Sequence, residues 1–327
     1  MRWSEQCVLV TGSSGFIGAH LCRALLGCGA RVVGLDNLDP FYSVEMKRRA
    51  EAQTRAHPNA SRYASIVGDA TDAPGLERVL RAHGVTGVIH LAAKAGVRPS
   101  IEDPVGYAHA NVTGTASVLH ASGRCGVSRV VCASSSSVYG NNTRVPFSEE
   151  DGVEHPISPY AATKRACELL AQTHHHLTGL PIAMLRFFTV YGPGQRPDLA
   201  IAKFMRLARE GRPIPMFGNG QTSRDYTYVE DIVAGICAAY ERVPAHGYRV
   251  WNLGGNHPVT LHELIEAIGR VVGSPLGIEH QPAQTGDVER TWADQRRSFA
   301  ELGYAPAWAL EAGLRRQWEA FLSEPIA

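Results

Sequence analysis

Two periodicities alternate along the first half of the chain. Short apolar runs with little polar interruption read as strands buried on both faces: Cys7–Val10, ARVVGLD ending in Asp36, YASIVGD ending in Asp69, GVIHLAA ending near Ala93, RVVCASS and IAMLRFF. Between them lie amphipathic stretches with helical spacing: FIGAHLCRALLGCG, Val44–Ala56, Ala73–His83, roughly Val105–Gly123, and Tyr160–Leu177. Strands alternating with helices predict an α/β fold, a Rossmann-type doubly wound parallel sheet. Such sheets bind ligands beyond the carboxyl ends of their strands. That rule singles out Gly12, Asp36, Asp69, Ala92, Ala93, Ser134–Ser137, Phe188 and Thr189.

From about Phe188 the pattern changes. Glycine and proline become frequent (YGPGQRP, REGRPIPMFGNGQ) and the elements become short and mixed. The expectation is a Rossmann domain over 1–187, joined by parts of 225–255 such as YVEDIVAGI and YRVWNLGG. A smaller, discontinuous α+β domain over 188–327 would hold the substrate.

The turn after the first strand carries the most specific chemistry. In VLVTGSSGFIG, Gly12 permits a tight bend, Gly15 allows backbone to approach a pyrophosphate, and Gly18 lets helix and strand pack closely. The helix N-terminus that follows offers unpaired N–H groups to phosphate. Asp36, ending the second strand, suits a ribose 2′-hydroxyl and repels a 2′-phosphate, so the expected cofactor is NAD rather than NADP.

Composition narrows the partners. A net charge of +1 over 327 residues gives no basic field for nucleic acid. No apolar run is long enough to span a membrane, and the first residues run into a strand without a signal peptide, so a cytoplasmic protein is expected. The seven cysteines are odd in number, lack a C-x-x-C pair and read as reduced core residues. His174, His175 and His176 fan out around a helix and cannot converge on one ion, so no metal is expected. His90, in a buried strand, reads as a core histidine; Asp39, Asp103 and Glu149–Asp151 read as turns and solvated loop.

Tyr160 and Lys164 form a Y-x-x-x-K pair at the start of a helix, where four-residue spacing stacks both side chains on one face. A neighbouring ammonium favours the phenolate, a usable base. Upstream, a serine cluster ends a predicted strand and supplies a hydroxyl partner.

Together VTGSSGFIG, HLAAKAGVR, CASSSSVYG, SPYAATK and LRFFTVYGPGQRPD resemble the extended short-chain dehydrogenases/reductases that modify nucleotide sugars. The likeness runs over nearly the whole chain and is strongest to UDP-glucuronate 4-epimerases. Dehydratases of this family carry an Asp-Glu pair, and decarboxylases a Glu, where this chain has Ser136 and Ser137. Thr189 stands where galactose epimerases carry Asn, and with Arg196-Pro-Asp it is similar to the uronate enzymes.

The resemblance implies roles. Tyr160, Lys164 and Ser135 would be catalytic. NAD would be held by Gly12, Gly15, Phe16, Ile17, Gly18, Asp36, Asn37, Asp69, Ala70, Leu91, Ala92, Ala93, Lys94, Asn111, Ser134 and Phe187, with Tyr160 and Lys164. A UDP-sugar would meet Arg98, Ser135, Ser136, Ser137, Thr189, Arg196, Phe217, Arg224, Asp287 and Arg290. Gln284 stands where many relatives carry Arg, which leaves Arg290 as the candidate second phosphate contact. The implied reaction is a redox epimerisation through a 4-keto sugar with no net use of NAD, in a homodimer. Alternatives are a UDP-glucuronate decarboxylase, a 4-epimerase for other UDP-sugars, or a non-catalytic NAD-binding sensor.

Overall fold

The computed structural model describes residues 1–282 and 288–323. Its strands are β1 (Cys7–Thr11), β2 (Arg31–Asp36), β3 (Tyr63–Val67), β4 (Gly87–His90), β5 (Val130–Ser135), β6 (Ile182–Phe187), β7 (Thr189–Tyr191), β8 (Ile214–Phe217), β9 (Ser223–Tyr228), β10 (Tyr248–Leu253), β11 (Pro258–Thr260) and β12 (Ile278–Gln281). Seven of them form one sheet in the order β10-β6-β5-β4-β1-β2-β3, every neighbouring pair parallel. The order reverses direction between β1 and β4, which opens a crevice beyond Thr11 and His90. The doubly wound α/β expectation therefore holds. β10, far along the chain, pairs with β6 and forms one edge of this sheet.

The helices are α1 (Phe16–Gly27), α2 (Val44–Arg55), α3 (Ala73–His83), α4 (Val97–Glu102), α5 (Pro104–Tyr107), α6 (Gly114–Arg124), α7 (Pro159–Thr178), α8 (Ala200–Arg209), α9 (Val229–Arg242), α10 (Leu261–Val272), α11 (Arg296–Leu302) and α12 (Leu310–Ser323). One face of the sheet packs Leu21, Leu25, Ile232, Ile236 and Leu302 from α1, α9 and α11. The other packs Leu76, Leu80, Val118, Cys167 and Ala171 from α3, α6 and α7. With apolar side chains covering both faces, the strands have no polar face to show, hence their continuous apolar runs.

A separate core around Phe204, Met205, Tyr228, Leu264 and Ile268 joins α8, α10 and α12 to two small sheets, β11-β9-β7 and β12-β8. No helix among the described residues is long and apolar enough to cross a membrane. The predicted helix over 105–123 is interrupted: a π-helical stretch, Ala108–Thr113, separates α5 from α6. Glu149 departs from the solvated-loop expectation. Its carboxylate accepts a 2.8 Å hydrogen bond from the backbone N–H of Asn252, and burial raises its pKa.

Candidate active site

The β1–α1 turn is shaped by its glycines. Gly12 has φ +71°, and a Cβ there would lie 2.8 Å from the Ala92 nitrogen, so both backbone conformation and close approach require glycine. At Gly18 a Cβ would stand 2.0 Å from the Gly12 carbonyl oxygen. Gly15 caps α1 without a side chain to bond its first N–H groups. A Cβ at Gly15 would fill the cradle between the Gly12 carbonyl and the Tyr42 hydroxyl.

At the end of β2 the buried Asp36 carboxylate accepts hydrogen bonds from Ser14 N (3.1 Å) and Leu38 N (2.8 Å), one on each oxygen. Each oxygen keeps acceptor capacity for a hydroxyl. Asn37 donates to Asp69 at 2.9 Å, while Asp69 also accepts from the amide and hydroxyl of Thr71. A glycine cradle, a helix N-terminus and an acidic strand end fit a dinucleotide with a free ribose hydroxyl. The buried Ala70 and the partly buried Leu91 and Ala92 line the neighbouring strand ends, with Ala93 exposed.

His90 is a satisfied core residue. Its ring nitrogens meet the hydroxyls of Thr11 (2.7 Å) and Thr115 (3.3 Å), and burial, with the Lys164 charge, lowers its pKa to about 3.

Helix α7 starts cleanly because Ser158 accepts from Ala161 N, Pro159 occupies the first turn, and Gly179 ends it at φ +71°. Tyr160 and Lys164 are both buried on its inner side. Lys164 Nζ donates to the Ala133 carbonyl at 2.9 Å, which fixes the ammonium against β5 two residues before Ser135. Ser135 Oγ donates to Ser137 Oγ (3.1 Å) and accepts from Ser137 N (3.2 Å). The Tyr107 ring meets Tyr160 edge-on at 6.2 Å.

One turn beyond Lys164, Glu168 is fully buried. It accepts both prongs of Arg186 on β6 (2.8 and 2.9 Å), the Ser134 hydroxyl (2.7 Å) and Arg165 (3.1 Å). Ser134, expected at the cofactor, thus uses its hydroxyl to tie β5 to this pair. The Asn111 amide is likewise occupied, by the backbone of Lys94 and by Thr163 Oγ1. The Lys94 ammonium pairs with Asp103 at 2.8 Å.

The segment after β7 carries Arg196. Its Nη1 donates to the Ala95 carbonyl at 3.0 Å, its plane lies 5.0 Å from the Phe41 ring centre, and its other two nitrogens grip Asp198. Tyr107 Oη donates to the same Ala95 carbonyl at 3.1 Å. The segment is held from behind by two buried glutamines. Gln317 on α12 accepts from Gly192 N and donates to Gln195, and Gln195 donates to the Val190 carbonyl, each bond being 2.9 Å long.

Thr189 opens β7 opposite Tyr226 of β9. The Arg98 guanidinium lies 5.6 Å from the Phe217 ring centre, which brings together two expected nucleotide contacts from distant segments. Arg224 donates to the carbonyls of Ser223 (2.9 Å) and Glu289 (3.4 Å), and Arg290 bridges to Ser223. Asp287 lies outside the described residues. Reading the sequence named Asp198 only as part of the Arg196-Pro-Asp motif and did not pick out Phe41, Tyr42, Tyr107, Glu168 or Gln317. Of these only Glu168 carried a signal, its helical register with Lys164.

A glycine cradle and a buried tyrosine–lysine pair on a Rossmann sheet suit nucleotide-dependent oxidoreduction. The chain belongs to the NAD dependent epimerase/dehydratase family, whose model matches residues 8–254. It is 40% identical over 309 residues to a UDP-glucuronate 4-epimerase of Thermodesulfobacterium geofontis, covering 94% of each chain. The structure of UDP-glucuronic acid 4-epimerase from Bacillus cereus in complex with UDP-glucuronic acid and NAD superposes with a TM-score of 0.90. The sequences are 32% identical over 97% of this chain and 99% of that one. UDP-glucose 4-epimerase from Thermotoga maritima is also similar, at 30% identity, with a TM-score of 0.87 and coverage of 97% and 99%.

Proposed function

We propose that the protein is a UDP-glucuronate 4-epimerase that interconverts UDP-glucuronate and UDP-galacturonate with tightly held NAD. The observation that carries this reading is the largely buried Arg196 guanidinium, held by the Ala95 carbonyl that also accepts from Tyr107, whose ring packs on Tyr160, together with a β5 end of serines that carries no carboxylate. An arginine fork suits a sugar carboxylate. A site lacking acidic residues at Ser134–Ser137 suits oxidation and re-reduction without elimination.

The chemistry that NAD supplies when bound is reversible hydride acceptance from the sugar C4. Tyr160, as phenolate, removes the C4-hydroxyl proton; Lys164, anchored on the Ala133 carbonyl, supplies the charge that favours the phenolate. Ser135 shares the proton network with Ser137. The 4-keto sugar turns over while Arg98, Phe217, Arg224 and Arg290 hold its UDP, and Tyr160 returns the proton at the other configuration. A carboxylate β to a ketone loses CO₂ when its bond to C5 aligns with the carbonyl π system. Ser136, Ser137, Thr189 and Arg196 hold it out of that alignment.

We assign the NAD side to 1–187 with parts of 225–255 and the UDP-sugar side to 188–327. We also propose a cytoplasmic homodimer pairing the helices near 105–123 and 160–177 across a two-fold axis; Val105, Leu169 and Leu177 are exposed there. Light scattering on the purified protein tests the dimer. The function is tested by incubating the protein with UDP-glucuronate and separating the products: UDP-galacturonate is expected, and a pentose product or no conversion refutes it.

A further inference from the structure

Arg196 is held on three sides, and the three are not equivalent. Nη1 donates to the Ala95 carbonyl at 3.0 Å, and the guanidinium plane rests 5.0 Å from the Phe41 ring centre. These two contacts fix the orientation of the fork. The third partner is Asp198, whose two oxygens take Nε and Nη2 at 3.0 and 2.6 Å. That is the two-pronged geometry a planar fork offers to any carboxylate. The Arg196 side chain is only 12% exposed, whereas Asp198 is 48% exposed and can swing into water.

We propose that Asp198 is an internal occupant of the uronate-carboxylate position, exchanged for the substrate's own carboxylate on binding. The inference rests on the UDP-glucuronate reading given above. A largely buried guanidinium left without a partner is strongly unfavourable, so a site that alternates between ligand-free and ligand-bound states needs a resident anion. With Asp198 in that role, Arg196 stays paired in both states. A uronate then gains only the difference between two carboxylate pairs. A neutral hexose cannot displace Asp198 and gains nothing from Arg196. Asp198 thereby moderates affinity for both uronate epimers, which favours release of product. It is a specificity residue that acts through Arg196 and does not touch the reacting atoms.

The test is calorimetric titration of the NAD-loaded protein in a Tyr160→Phe background, which prevents turnover. UDP-glucuronate and UDP-glucose are the two ligands, and the readout is the ratio of their Kd values. Removing a negative charge improves binding of every UDP-sugar somewhat, and the ratio cancels that general effect. Asp198→Ala should raise the preference for UDP-glucuronate by about tenfold, the scale of a freed charge-assisted bond. Asp198→Asn should move it in the same direction, and adding Arg196→Ala should abolish the gain. A ratio that stays constant or falls in both Asp198 variants, with wild-type protein still epimerising UDP-glucuronate, overturns the exchange and makes Asp198 a support for Arg196. If wild-type protein fails to convert UDP-glucuronate, the functional reading fails and the exchange falls with it.

Discussion

The pair between Glu168 and Arg186 offers a prediction whose size follows from the structure. Glu168 is fully buried on α7 and Arg186 is 3% exposed on β6, so neither charge has access to water. Glu168→Gln keeps the shape but leaves the Arg186 guanidinium buried without its counter-charge. Breaking a buried pair from one side costs about 3–5 kcal/mol. For a chain of 327 residues the unfolding entropy near Tm is about 0.7 kcal/mol/K, so Tm should fall by roughly 4–7 °C. Replacing both residues with methionine should cost less than either single change, because no fully buried charge is then left uncompensated; Arg165, the other partner of Glu168, is 28% exposed.

Burial alone would push the Glu168 carboxyl up, but Arg186, Ser134 and Arg165 outweigh it and hold it below the usual carboxylate range. The folded value lies below the unfolded one. The stabilisation is therefore complete above about pH 4.3 and is lost as pH falls through the folded value. The gap between wild type and Glu168→Gln should close in acid. Scanning calorimetry at several pH values checks this; a single variant with an unchanged Tm at pH 7, or a double variant worse than both singles, would refute the reasoning.

Three further outcomes concern the site. Tyr160→Phe should abolish turnover while NAD stays bound, and retention of more than a few per cent of activity would remove Tyr160 from its assigned role. Asp36→Ala should weaken NAD binding and relax discrimination against NADP, since acceptor and repulsive charge leave together; titration of both cofactors reads it, and a wild-type preference for NADP would contradict it. Arg196→Ala should weaken UDP-glucuronate binding by about 1.5–3 kcal/mol, tenfold or more, and raise the share of pentose product seen by mass spectrometry. An unchanged KM without pentose would place the carboxylate anchor elsewhere.

What could be read from the chain beforehand was what local spacing encodes. α3 begins and ends where expected, over Ala73–His83, because Asp72 caps it, Pro74 starts it and Gly84 stops it at φ +59°. The apolar run GVIHLAA reads as strand to Ala93, yet β4 ends at His90: the chain turns out of the sheet and Ala92 N donates to the Thr11 hydroxyl. The glycine turn, Asp36 and the Tyr160–Lys164 pair were legible for the same reason as α3, since each is defined within one or two elements. The surroundings of Arg196 were not. Ala95 lies 101 positions away and Phe41 farther still, and no periodicity links them. Glu168 was hidden differently. A glutamate four residues after a lysine suggests an exposed helical ion pair, and only the parallel pairing of β6 beside β5 places Arg186 opposite it.

The two glutamines behind the Arg196 segment bear on how the protein is made. The family match ends at residue 254, and β10 supplies the last strand of the large sheet by Leu253. A nascent chain of that length already contains every strand of the sheet and can begin to fold vectorially, as domains generally do during synthesis. The segment bearing Arg196 has no such head start. Its clamp, Gln317, sits 125 positions beyond Gly192. The support of that segment is thus completed only by α12, after every strand of the large sheet has been made.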